Sequence, residues 1–290
     1  MCERKYSNFT NMEMVPIPDS FIQHQPVDSE VDFVPYVSET AVIKGRAILK
    51  RHMISLITEG EKVMYVENDT IHLSPGKLLI LSAGNTLFTE RLGRNSQIKS
   101  TMIFFTDAVL LKLQQTSQPA IPPKKASRSF ILFDRDPYLH GYVESVNVLI
   151  EQSMLSPALQ RVKLNELLLY LESKSPGALA QFRSSGIASS EEERIRKVME
   201  AHCLAQLSLS ELAFLCHMSL PTFKRKFEQL YHESPARWLL IQRLTMAADR
   251  LRSKTAKPGE VYLEAGYQNH SSFSKAFKKY FGVLPKDYLH

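Results

Sequence analysis

Two segments near the C-terminal end set hydrogen-bonding side chains opposite a pair of phenylalanines. In the first, Phe223 and Phe227 stand at i and i+4, leaving Thr222, Lys224, Arg225 and Lys226 for solvent or a polar partner. In the second, Phe273 and Phe277 repeat the spacing, His270, Ser271, Ser274 and Lys275 form the opposing stripe, and Lys278 and Lys279 lie further along. An apolar i, i+4 pair seats one helix face in a core. The other face then offers donors suited to base edges and phosphate oxygens. This is the chemistry of recognition. No Ser/His/Asp or Cys/His arrangement compels a nucleophile, and no glycine-rich phosphate loop is present. Metal ligation by His270 would need a second ligand at i+3 or i+4, and none stands there.

A basic stripe on a lone helix reads as a solvated face, so the elements before each stripe decide. Ser208-Leu209-Ser210-Glu211 is a capping box that opens a helix bearing Leu209, Leu212, Ala213 and Leu215. Cys216-His217-Met218 makes a turn, Ser219 is placed to cap the next helix, and Pro221 falls in its first turn. The second unit has a short helix around Glu260–Glu264, a turn at Gly266 and a helix closed by Gly282. Helix, tight turn and striped helix make a reader of the major groove. Between the units, Ser234-Pro235 starts a helix to about Arg252, with Trp238, Ile241, Leu244, Ala247, Ala248 and Leu251 apolar. Some eighteen residues span roughly 27 Å. That length can hold two recognition helices about one DNA turn (~34 Å) apart.

Composition agrees with a polyanion partner. Of the net charge of +6, five units fall in residues 186–290, which carry 16 Lys/Arg against 11 Asp/Glu. Phosphate neutralisation drives nucleic-acid affinity. No apolar run reaches the roughly 18 residues of a membrane span, and the N-terminal residues lack a signal-peptide stretch. The expected compartment is the cytoplasm, close to the nucleoid. Cys2, Cys203 and Cys216 match no zinc spacing, and Cys203 and Cys216 read as small buried apolar residues.

The 290 residues suit two domains. Residues 1 to about 30 read as an irregular arm or an added edge strand. From 31 to 106 short β-branched or aromatic runs recur: Val31–Val37, Ile54–Ile57, Lys62–Val66, Thr70–Leu73, Leu78–Leu81 and Lys99–Phe105. Turn signals separate them, among them Glu59-Gly60-Glu61 and Ala83-Gly84-Asn85. A proline- and lysine-rich loop spans Gln118 to Arg128. Two amphipathic helices follow, Pro137 to about Gln152 and Pro157 to about Lys174, the second with Leu159, Val162, Leu164, Leu167, Leu168 and Leu171. The expectation is an α+β multidomain chain. A small β-barrel with flanking helices fills residues 1–185, residues 186–190 form a linker, and residues 191–290 form an all-α domain with two helix-turn-helix units joined by a long helix.

Residues 191–290 resemble the DNA-binding domain of the AraC/XylS family of bacterial transcription regulators. The likeness is carried by Leu209-x-x-Leu212-Ala213, Ser219-x-x-x-Phe223-x-x-x-Phe227, Ser234-Pro235, Arg243-x-x-x-Ala247, Gly266-Tyr267, Ser272-Phe273-Ser274-x-x-Phe277-Lys278-Lys279-x-x-Gly282 and Pro285-x-x-Tyr288. The resemblance implies base-facing roles for Pro221, Lys224 and Arg225, and for His270, Ser271, Ser274 and Lys275. It also implies activation through RNA polymerase. Two positions depart from the pattern. Tyr262 replaces the usual small alanine, and Pro221 offers a base only apolar contact.

Gly60-x4-Tyr65 with Leu73–Leu81 resembles the cupin-like barrel that precedes this domain in many AraC-type regulators. That likeness implies a small effector in the barrel, with the outer helices (137–174) serving a homodimer. Leu164–Leu168 bears a likeness to the family's type III secretion regulators, which a protein partner controls. A barrel filled by large apolar side chains would favour the partner, and a polar-lined cavity the ligand. A cupin metalloenzyme is the remote alternative. It needs clustered His ligands, whereas His52 and His72 stand twenty residues apart. No cofactor and no catalytic residue is expected.

Overall fold

The computed structural model describes residues 14–17, 29–116, 129–179, 182, 190–253 and 255–288. The chain divides into two compact units, Met1–Ser189 and Ser190–His290.

The first unit has ten strands among its described residues: β1 (Met14–Ile17), β2 (Val31–Ser38), β3 (Gly45–Leu49), β4 (His52–Glu59), β5 (Glu61–Val66), β6 (Asp69–Leu73), β7 (Lys77–Leu81), β8 (Gly84–Arg91), β9 (Ile98–Phe105) and β10 (Phe130–Asp134). Three helices belong with them: α1 (Asp107–Thr116), α2 (Pro137–Glu151) and α3 (Pro157–Lys174). The strands form two sheets, ordered β1-β3-β8-β5-β6 and β10-β7-β4-β9-β2. All pairs are antiparallel except β1 with β3. The expected barrel is thus two sheets around one interior, with no hydrogen-bonded ladder joining them among the described residues. β1 is the added edge strand, and its Pro16 is tolerated there because an edge needs fewer donors.

Alternation along β4 divides two cores. Met53 and Ile57 face the space between the sheets with Leu79, Met102 and Phe104. Ile54 and Leu56 face the other way, onto Val143, Val146, Leu164, Leu167, Leu168 and Leu171 of α2 and α3. Covered on both sides, β4 is buried from His52 through Ile57, which removes the polar alternation of a one-sided strand. Asp136 and Ser156 cap α2 and α3. Val162, expected in the apolar stripe, points outward instead, because the four buried leucines already fill the contact with the sheet.

β3, β8, β10 and α1 escaped sequence reading, and Gly84, taken as a turn, opens β8. Residues 118–128 and 186–189, read as a loop and most of a linker, lie outside the described residues. No described helix is long and apolar enough to cross a membrane.

The second unit contains α4 (Glu191–His202), α5 (Leu209–Leu215), α6 (Leu220–Tyr231), α7 (Pro235–Arg252), α8 (Pro258–Glu264), α9 (His270–Phe281) and a 3-10 turn at Pro285–Asp287. α7 supplies Leu244, Ala247, Ala248 and Leu251 to a core completed by Val261, Ala265, Phe273 and Phe277.

Candidate nucleic-acid interface

Local chemistry builds each striped helix. Ser208 Oγ accepts the Glu211 N–H at 3.3 Å, and the Glu211 carboxylate accepts the Ser208 N–H at 2.6 Å. Two otherwise orphaned donors are satisfied, so α5 starts sharply. It ends at Cys216, and His217 takes a left-handed backbone (φ 59°) that turns the chain. Ser219 then caps α6, its Oγ accepting the Thr222 N–H at 3.3 Å. The Thr222 hydroxyl lies 2.8 Å from the same Oγ, so this side chain serves the cap as well as the surface.

Phe223 and Phe227 are fully buried, 5.7 Å apart between ring centroids, and Phe227 continues onto Tyr231 and Trp238. Pro221, Lys224 and Arg225 are exposed on the side that this anchoring leaves free. Lys226 is not part of that group. It pairs with Glu191 at the start of α4, which holds the Glu191 carboxyl below the usual carboxylate range.

The second helix is placed by the same means with different residues. Asn269 is the cap, its Oδ1 accepting the Ser272 N–H at 2.8 Å. Gly282 closes α9 in the left-handed region (φ 81°), where a side chain would strain the backbone. Phe273 and Phe277 are buried 5.5 Å apart, bracketed by Tyr267, Phe281 and Tyr288. His270, Ser271, Lys275, Lys278 and Lys279 are exposed and Ser274 is half-buried. All ten residues singled out for DNA contact therefore lie on two helices, each outside its buried phenylalanine pair.

Sequence reading missed what ties the two helix-turn-helix halves of the second unit together. Arg243 of α7 donates from Nη2 to the Ala205 carbonyl at 2.9 Å and from Nε to that of Cys203 at 3.4 Å, both in the segment joining α4 to α5. Its guanidinium also lies under the turn between α8 and α9, where a Cβ on Gly266 would come within 3.2 Å of Nη1. Gly266 is left-handed as well (φ 80°), so glycine answers two demands there. Gln206 adds a second bridge, from Nε2 to the Leu263 carbonyl at 3.4 Å. An arginine recurring in a motif was visible in the sequence; its partners, about forty residues upstream, were not. Cys216 is buried, and Cys203 is half-exposed with its thiol pKa pushed up by burial.

The first unit holds a buried polar cluster. Lys62 and Glu90, directly opposite on β5 and β8, form an ion pair at 2.7 Å. Tyr36, from the other sheet, donates its hydroxyl to Glu90 at 2.8 Å, and burial with the adjacent carboxylate pushes its pKa well up. Beside them Met53, Met64, Phe88 and Met102 line a cavity of about 20 Å³ between the sheets. That is room for a single water. His52 is buried and bonded to Asp107 at 2.8 Å, whereas His72 is exposed. Among the described residues no group of three or more His, Cys, Asp or Glu could hold a metal.

Known proteins match both units. Residues 52–182 match the family described as the ExsA N-terminal regulatory domain, and residues 212–290 match a helix-turn-helix domain family. The virulence regulon transcriptional activator VirF of Yersinia enterocolitica is 25% identical over 234 residues, covering 79% of this chain and 86% of its own. The HTH-type transcriptional regulator ExsA of Pseudomonas aeruginosa is 25% identical over 245 residues, covering 81% and 85%. The structure of fatty-acid-bound ToxT from Vibrio cholerae aligns with 92% of this chain and 97% of its own, at 11% identity and a TM-score of 0.40.

Proposed function

We propose that this chain, a member of the AraC/XylS family of bacterial transcription regulators, binds two successive major-groove segments of a promoter through α6 and α9 of residues 191–290. The observation that carries this reading is the repeated plan. Each helix is capped, each is anchored by a buried phenylalanine pair, and each exposes a polar stripe. Lys224, Arg225, His270, Ser271, Ser274 and Lys275 face base edges, and Arg225 and Lys275 suit guanine O6 and N7. Pro221 contributes apolar contact. Thr222, Lys278 and Lys279 lie near phosphate. The chain works in the cytoplasm as an activator that engages RNA polymerase; the activating role is supported by its relative VirF, a virulence regulon transcriptional activator.

For residues 1–185, a cupin-like regulatory and dimerisation domain, two readings differ in what controls the regulator. A small effector would need space between the sheets. The packed interior and its closed Tyr36–Glu90–Lys62 cluster favour control by a protein partner. Exposed Val148, Val162 and Leu169 on α2 and α3 suit a homodimer contact.

Genome-wide mapping of sites bound by the full chain, with and without candidate inducers, tests the function. The expected outcome is enrichment upstream of genes at a two-part sequence. Uniform coverage of the chromosome would overturn the reading.

A further inference from the structure

The imidazole of His270 stands at the first position of α9, exposed, yet its neighbours hold it in place. The Tyr262 ring on α8 lies 5.9 Å away between centroids, with the planes 88° apart. The Ser274 hydroxyl, one helical turn along, is 3.4 Å from Nδ1, and the Phe273 ring is 6.4 Å away. Tyr262 is itself a fixed wall. It is half-buried against the core of α7, α8 and α9, and its carbonyl accepts the Tyr267 N–H at 2.9 Å. Perpendicular aromatic rings at this separation attract through their quadrupoles. With Nδ1 facing Ser274, Nε2 is the nitrogen left for a partner. The first helix-turn-helix, offset by fifty residues, has Leu212 and Leu220 at the same places and so no such pair of rings.

The geometry points to Tyr262 as a positioning residue that fixes the His270 imidazole to read a base edge, so that a side chain off the recognition helix sets part of the sequence preference. The inference rests on the reading of α9 as a recognition helix. An exposed histidine free to change rotamer would lose entropy on binding and accept several bases. One held before contact discriminates more sharply for the same hydrogen bond.

The test is selection from a library of randomised DNA duplexes by the full chain, with the thermal midpoint measured for every variant. His270→Ala is expected to flatten the base preference at one or two adjacent pairs. Tyr262→Leu, which keeps apolar volume without the ring, is expected to flatten the same pairs about fivefold, the lower range for a base mismatch. Tyr262→Phe keeps the preference, and His270→Ala combined with Tyr262→Leu is no worse than His270→Ala alone. An unchanged preference in Tyr262→Leu overturns the inference. So does a uniform loss across all sequences with a lowered midpoint, which marks packing alone. If Arg225→Ala alters the selected sequence and His270→Ala does not, the inference falls while the DNA-binding reading stands. No enriched sequence for the unaltered chain overturns both.

Discussion

The two striped helices, α6 and α9, share an anchor and differ in what they present. α6 offers Lys224 and Arg225 beside Pro221, so its reading is charged and depends on few donors. α9 offers His270, Ser271 and Ser274 with Lys275, and places Lys278 and Lys279 a turn further on. Phe223 and Phe227 match Phe273 and Phe277 in spacing and in complete burial. The framework is therefore duplicated while the reading surface is free to diverge. An arginine fork that grips guanine bidentately should contribute more base-specific affinity than a hydroxyl or an imidazole. On the proposed reading the first helix is expected to be the stronger reader, although the second has the clearer sequence pattern.

The largest effect that could break this comparison lies in the shared anchor. Phe227→Ala and Phe277→Ala should each cost about 3–5 kcal/mol, typical of a buried aromatic lost from a core. Chemical denaturation of the full chain, followed by far-ultraviolet circular dichroism, checks this, and losses differing severalfold would show that the anchors are not equivalent. Arg243→Met comes next. Removing a charged donor from two carbonyls should cost about 1.5–3 kcal/mol and weaken binding to a two-part site more than to either half alone, as read by gel shift.

Reading residues come third. Arg225→Ala should lose about 1–3 kcal/mol of discrimination at one base pair, and Lys275→Ala less than that, measured as affinity for single-base variants of a selected duplex. A larger loss for Lys275→Ala would reverse the ranking of the helices. The smallest effect is electrostatic. Lys278→Ala should weaken binding almost equally for all sequences and reduce the slope of log affinity against log salt by about one. A sequence-dependent loss would move Lys278 from phosphate to a base edge.

What could be read from the sequence follows from the range of each interaction. In the second unit the signals are local. The Ser208–Glu211 capping box, Gly266, Gly282 and the i, i+4 phenylalanines each act within a few residues, and all appear where expected. Long-range contacts stayed hidden. Arg243 finds its carbonyls about forty residues upstream, and nothing adjacent to it marks them. β8 was missed for a related reason. Thr86, Phe88 and Glu90 are its inward-facing residues, so the buried side carries a charge whose partner, Lys62, lies on another strand. Buried charge inverts the apolar-in, polar-out alternation by which a strand is recognised. β4 and β7, covered on both faces, lacked alternation altogether but declared themselves as short apolar runs.

The central claim is that one chain reads two adjacent major-groove segments, with α6 dominant. Hydroxyl-radical footprinting of the full chain on a selected duplex tests it most directly. The account predicts two protected patches on one face of the DNA, about 10 base pairs apart. Arg225→Ala should weaken binding overall and erase one patch, and Lys275→Ala should weaken the other to a smaller degree. A single patch, or two patches that fade together and equally in both variants, would contradict it.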